Sequence, residues 1–585
     1  MNRIRVKTIL CVALAAVMVA ALVIASLALI PRTRSEEILP NPNVAIDDGN
    51  GALSVYVSGA EVEEAKDGGY YVPAGKEFTV TVVNETGVFS ALTVSDGSGN
   101  TIASRTNAGE YDYGCVVEGL SSESGTITVR ASARGVTSAD RGKLFSLSYP
   151  IDDAETLIAL ANILAGGGSA ADYLLFGFGD GASIGTEEKA AADGALRYGY
   201  YRLTSNIIVN DSRFDGLGSR GGMPFQGCFD FDGHYAYINI SKTDADEISF
   251  TSVQKSENTD VVQVADLGFF SYIYGGADEN GRPCLVRGAD VRGSIAVNTV
   301  SSAPGAGEYR LHAGGIAGSA GKDIVFDGVR SQVSVSVQAG RATLLLGGLF
   351  GFSSASVDEW SQAVYEGDYG SISGITQGSG ANVFVGGLAG VVQNAYANGF
   401  SNTARSTSFV ANANASLSGS AYVGGLAGAV YVGPSLYKFA ETDQPRSVTL
   451  RRFASSVRDS FVLSSVIDNE SSTAAINPDD FSAGSAGAVA GGFVGGIYVE
   501  QSGSSSLTVT VSHVNFTGAS VPPTATAQTL DGGSRGAAFA GGLIGYIQAD
   551  SAAYIRYEVS ENSAAGNPAN STFACDTEIL ATQNG

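Results

Sequence analysis

The sequence is poor in the residue types that most often announce chemistry. Only five cysteines occur in 585 residues. Cys11 lies in the N-terminal apolar segment, and Cys115, Cys228, Cys284 and Cys575 are far apart, with no Cys-x-x-Cys pair. That excludes the common zinc spacings and a dense disulfide framework. A single Cys228–Cys284 bridge stays open on spacing, with free thiols as the other reading. The three histidines are His234, His312 and His513, and none sits in a His-Glu-x-x-His pattern, so metalloprotease chemistry is not encoded. No Gly-x-Ser-x-Gly elbow and no convincing Ser/His/Asp set is visible. His234 follows Gly233 and reads as a turn residue. No metal and no cofactor is expected.

Positive charge is scarce as well. There are 34 Lys and Arg against 58 Asp and Glu, a net charge of −24. This argues against nucleic acid, whose binders carry basic patches, and against holding an anionic lipid surface by charge. Long hydrophobic runs are limited to one, Thr8 to Ile30. A membrane-spanning helix needs about 20 apolar residues, whereas the core of a cleaved signal peptide has about 7–15. The run is therefore read as a retained signal anchor, with membrane contact through residues 8–30. Arg3, Arg5 and Lys7 keep residues 1–35 anchored with a cytoplasmic tip. Residues 36–585 are expected outside the cytoplasm, at the cell surface, or secreted if the "ASLA" at 25–28 is cleaved.

What the chain has in excess is glycine, 77 residues of it. Residues 36–50 are polar and proline-containing and read as a linker. Over 51–147, short alternating segments such as "ALSVYVSG", "EFTVTVVN" and "TITVRASA" predict an Ig-like antiparallel β-sandwich. Within 151–165, Leu157, Ile158, Leu160, Ile163 and Leu164 recur at helical spacing, with Asp152 or Asp153 as cap. No long helix is expected beyond that point, and "YGYYRLTSNIIVND" reads as strand.

From there a short pattern recurs, Gly-Gly-apolar-x-Gly. Its copies place Gly314, Gly315 and Gly318; Gly347, Gly348 and Gly351; Gly386, Gly387 and Gly390; Gly424, Gly425 and Gly428; Gly491, Gly492 and Gly495; and Gly541, Gly542 and Gly545. A weaker copy, "LGFFSY", starts at Leu267 and lacks the last glycine. A repeat that cannot bury its own apolar face must stack on its neighbours. For strands this predicts an all-β parallel β-helix or solenoid over 148–550. The glycines are read as structural. They would give a sharp corner through positive φ, or let neighbouring turns approach, and the next apolar residue would anchor inward. The largest gap, between Gly428 and Gly491, is expected to hide a turn lacking the glycines, since "RSVTLRRFASSVRDSFVLSSVI" resembles two strands. Residues 551–585 are read as a C-terminal cap or tail.

The Gly-Gly-Leu-x-Gly copies resemble GLUG-motif repeats of bacterial surface and secreted proteins. So does the order of segments before them, "DAETLIALANIL", "YYRLTSNIIVN", "MPFQGCFDFDGHYAYINI" and "VRGADVRGSIAVN". The resemblance covers about 150–550. It implies a right-handed parallel β-helix on an exported protein, in a family that includes adhesins and accessory regions of surface proteases.

For chemistry, the nearest candidates are Asp230 and Asp232 in "FDFDGH". On one strand they would share a face within about 7 Å, a separation suited to glycoside hydrolysis; Asp232-Gly233 is equally a turn signal. Asp211, Asp215, Asp479 and Asp480 lie in loops without calcium-loop spacing. The expected function is non-catalytic, an adhesin-like or structural surface protein with a glycan or extracellular protein ligand. The alternative is a polysaccharide lyase or hydrolase, which would need acids with Arg or Lys on successive turns.

Overall fold

The computed structural model describes residues 142–254 without a break, then 261–275, 284–299, 308–321 and 324–354. It also describes shorter pieces, chiefly strands, between 44 and 133 and between 364 and 584. The expected membrane segment at 8–30 and Gly542 lie outside the described residues. Among the described residues no helix is long and apolar enough to cross a membrane.

The protein is mostly β, and from Tyr200 onward nearly all strand pairs are parallel. One full turn shows the plan. Tyr309–Gly314 leads into the doubled glycine, Ala317–Ala320 trails it, and Ile324–Asp327 and Arg330–Ala339 complete the circuit. Ala342–Gly347 then lies beside Tyr309–Gly314 in the next turn. Strands of one kind therefore stack into a sheet. The leading sheet has eight strands, the trailing sheet seven, and the broad sheet that contains Arg330–Ala339 thirteen. The first glycines of all six copies are partners in register, Gly314 with Gly347, then Gly386, Gly424, Gly491 and Gly541. The third repeat residue anchors inward: Ile316, Leu349, Leu388, Leu426 and Phe493 are all buried in the main core.

The direct pairing of Gly424 with Gly491 corrects one expectation. The long gap holds no extra turn. Ser447–Arg451, Ala454–Val457 and Ser460–Asp468 are indeed strands, but they widen a single circuit sideways. A step length in sequence does not distinguish a longer lap from an added one.

The reason for the repeat glycines also differs from half of what was expected. Among the described residues none has positive φ. What they lack is room. A Cβ on Gly347 would sit 2.0 Å from the Phe350 carbonyl oxygen, and one on Gly424 2.0 Å from that of Ala427. On Gly351 and Gly390 it would meet the backbone nitrogens of Ala313 and Leu346 in the preceding turn, each at 2.4 Å. The bend itself is laddered: Ile316 N–H donates to Leu349 O at 2.9 Å, and Leu388 N–H to Leu426 O at 2.8 Å. Two left-handed glycines mark a different corner, before the broad sheet. Gly288 has φ +60 with open space around it, and Gly328 has φ +69 with no atom nearer than 3.9 Å. At one corner glycine serves for crowding, at the other for handedness.

The first turns are closed by helices. Ala154–Leu164 is capped by Asp153, whose side chain accepts from Thr156 N–H at 2.8 Å. Its Leu157, Leu160, Ile163 and Leu164 face the main core at i, i+3, i+4 spacing. Two further helices follow, Ala170–Leu174 and the twelve-residue Thr186–Arg197, in the Gly/Ala-rich stretch between the first helix and the coil. The strand Gly142–Ile151 spans the expected boundary at 147. Its first part pairs antiparallel with Thr126–Ala133 and parallel with Tyr70–Pro73, its last part parallel with Tyr200–Leu203. One sheet of ten strands thus runs from the N-terminal segment into the coil. The remaining N-terminal strands include Val44–Ile46, which lies within the stretch read as linker and pairs antiparallel with Leu53–Ser58.

The two glycine roles predict opposite substitution profiles in denaturant unfolding. Gly347→Ala should cost about 3 kcal/mol, because backbone would have to move. Gly288→Ala should cost about 1–2 kcal/mol, and Gly288→Asn clearly less, since Asn tolerates left-handed φ.

Candidate functional site

The carboxylate pair expected at the end of a strand is not arranged for hydrolysis. The strand Cys228–Asp230 stops before Asp232, which sits in the turn with φ 40. Asp230 Oδ1 accepts from Asp232 N–H at 2.8 Å, and its Oδ2 accepts from Tyr200 Oη at 3.2 Å. Arg202 Nη1 lies 3.0 Å from Asp232 Oδ2, and Arg287 Nη1 3.8 Å from Asp230 Oδ2. The register places Arg202, Asp230, Arg287 and Asp327 on successive turns. The result is a ladder of alternating sign in which the acids face cations. The neighbouring cysteines Cys228 and Cys284 are not joined by a disulfide. Cys228 pairs with Leu285, not Cys284, so the two side chains leave opposite faces of the sheet.

The loop aspartates are also engaged. Asp211 Oδ2 pairs with Arg213 at 2.7 Å, and Asp215 Oδ1 lies 2.6 Å from the buried Lys242 Nζ. Among the described residues no cluster of His, Cys, Asp or Glu suits a metal ion; Asp479, Asp480 and His513 lie outside them. His234 is in the turn after Gly233, its N–H donating to Phe231 O at 2.7 Å.

A Ser/His/Asp set that the sequence does not reveal is nonetheless assembled. The leading and trailing strands are buried on both faces, so the outer face makes a second, smaller core. Leu344 and Leu346 face the main core, whereas Leu345 packs with Phe352, Phe384, Val391 and Tyr422 in the second. Pairing aligns one column as Asp266, His312, Leu345, Phe384 and Tyr422. The facing column runs Tyr272, Ser319, Phe352, Val391 and Ala429. The rings of Phe384 and Tyr422 stack at 4.9 Å. The first two levels are polar and the later ones apolar. His312 is the one polar residue where later copies have Leu, Phe, Tyr and Val, a signal readable only once the copies are aligned.

In this polar end, His312 Nδ1 lies 2.9 Å from Asp266 Oδ1 and 2.8 Å from Ser319 Oγ, which donates to the same Asp266 oxygen at 2.5 Å. Acyl transfer needs the two imidazole nitrogens in separate roles, one toward the acid and one toward the nucleophile. Here one nitrogen faces both, and all three residues are buried. Arg220 donates through Nε to Asp266 Oδ2, and its guanidinium lies 4.4 Å from the Tyr272 ring centre. Burial opposes the charge of Asp266, but Arg220 and the His312 hydrogen bond outweigh it and hold the carboxyl at about 2. Burial pushes the His312 ring down to about 4 against the pull of Asp266, so it is neutral at pH 7. The cluster is an internal ion-pair plug.

The accessible polar surface is the outer face of the broad sheet. Ala236–Lys242 alternates buried and exposed along its length. Ile238, Ile240, Val291, Val335 and Val337 point inward. Outward columns read Asn239, Ser294 and Ser334; Ser241, Ala296, Ser336 and Ser373; and Asn298, Gln338 and Ile375. Charge on this face is confined, among the described residues, to the margin. There Arg292 and Arg330 lie 2.7 Å and 3.9 Å from Asp290 Oδ2. The backbone register continues through Ser408–Ser416, Ser460–Asp468 and Thr524–Gln528.

No protein-family model, curated protein or solved structure matches the chain.

The plug predicts acid sensitivity with a defined sign. Both folded values lie below the unfolded ones, so the unfolded chain binds more protons and stability declines as the pH is lowered. The His312 part is present above about 6.5 and lost toward about 4, and the Asp266 part is lost between about 4 and 2. Each contributes on the order of 2 kcal/mol. Urea unfolding at pH 7, 5 and 4 should show the decline in the wild type, and His312→Leu should remove the portion between pH 6.5 and 4.

Proposed function

We propose that this protein is a non-catalytic, exported bacterial surface protein of adhesin type. In this reading the coil is a right-handed parallel β-helix related to GLUG-motif repeats. It is carried on an Ig-like sandwich over 51–147 and tethered through residues 8–30. Its working surface is the outer face of the broad sheet, which meets a glycan or an extracellular protein. The observation that carries the proposal is the small, uncharged polar character of that face over successive turns. Hydroxyls and amides both donate and accept, so such a face can engage a polar ligand without committing charge. The absence of sequence and structural matches leaves the reading resting on the residues themselves.

A second reading, a polysaccharide-degrading enzyme, draws on the Arg202–Asp230–Arg287–Asp327 ladder, which does place acids and bases on successive turns. Its acids are tied to cations and to backbone, which favours a structural role for the ladder.

The test passes the full chain, purified in detergent, over immobilised glycans and matrix proteins, with each retained glycan also assayed for cleavage. Retention without cleavage is expected. Ser336→Glu should lower retention at least tenfold while changing unfolding free energy by less than about 0.5 kcal/mol. Cleavage that Asp230→Asn abolishes would establish the enzyme instead, and retention of nothing would overturn the adhesin reading.

A further inference from the structure

The first turns of the broad sheet carry the one aromatic feature on its outer face among the described residues. Tyr237 is 40% exposed near the start of its strand, with Ile208 at 57% beside it in register. Arg292 is the partner of Tyr237 on the other side. The Arg292 guanidinium lies 4.1 Å from the centre of the Tyr235 ring, and Asp290 fixes it through two bonds, Nε to Oδ1 at 3.0 Å and Nη2 to Oδ2 at 2.7 Å. One step along the strand, Asn239 is exposed, and its Oδ1 accepts from Ser294 Oγ at 2.9 Å. A ring and a fixed planar cation therefore stand beside a braced row of amide and hydroxyl groups.

We infer that this patch is a subsite for a neutral glycan, with Tyr237 as the stacking platform and Asn239 and Ser294 as hydroxyl-reading groups. The inference rests on the surface-binding reading and names its ligand class. Three observations select that class. An amphipathic ring presents an apolar face to the C–H face of a pyranose while its hydroxyl stays wet. Asn and Ser offer both donors and acceptors, as sugar hydroxyls require. The cations at this margin, Arg292 and Arg330, share Asp290, and the whole chain is at −24, so an anionic polymer meets little attraction. Turns repeat about 4.8 Å apart, so an extended oligosaccharide lying across them meets the same polar rows again at Ser334.

Calorimetric titration of the full chain tests this with cellohexaose, chitohexaose and mannohexaose as neutral probes and hexagalacturonate as the anionic one. At least one neutral probe should bind, and hexagalacturonate at least tenfold more weakly. Tyr237→Ala should weaken the neutral probe at least tenfold, and Asn239→Ala several-fold. Circular dichroism should be unchanged, since both side chains are exposed. The subsite is overturned if the folded chain binds no neutral probe, if it prefers hexagalacturonate, or if Tyr237→Ala leaves affinity intact. Retention of a matrix protein by the same chain in the absence of any glycan binding overturns the subsite alone; failure with both overturns the surface-binding reading as well.

Discussion

Backbone approaching backbone is the constraint on which this structure depends. Where the leading strand folds into the trailing one, the chain passes so close to itself and to adjacent turns that a single methyl group has no place. The amides of the bend bond to the next turn's bend, so the hydrogen-bond ladder continues around the corner. The six bends stack in register as a result. Buried strands on either side of them can then face two cores at once, which explains continuous apolar runs such as the one around Leu344–Leu346.

This geometry sorts what was legible in the sequence from what was not. The bend tolerates no insertion, so its spacing of glycines is preserved and the repeat stands out. The path between bends tolerates a great deal, so the long lap between Gly428 and Gly491 looked like two. The alternation of Ser and Val over 333–337 matches the inward and outward faces of the broad sheet, because side chains on a strand have period two. Whether a glycine answers crowding or handedness was not legible, since both demands select the same residue.

The buried Asp266, His312 and Ser319 were illegible for another reason. His312 and Ser319 lie 46 and 53 residues from Asp266 in the chain and meet it only through inter-turn register. Their sealed position, and the use of one imidazole nitrogen for both neighbours, separates them from a catalytic set of the same composition. The buried Asp230 and the half-buried Asp232 fail as a hydrolytic pair for a local reason, the left-handed turn that ends their strand's alternation. Among the described residues, the outer face of the broad sheet carries hydroxyl and amide groups on successive turns, with charge at its margin.

The strand Gly142–Ile151 has a mechanical consequence. It belongs to the N-terminal strands along one part of its length and to the coil along the rest. A pull applied across the junction is therefore not taken up by a slack joint. It loads several ladder hydrogen bonds side by side, in shear, so that they must fail together. A molecule anchored at one end and gripping a target with its coil would transmit tension through this strand as through a rigid strut.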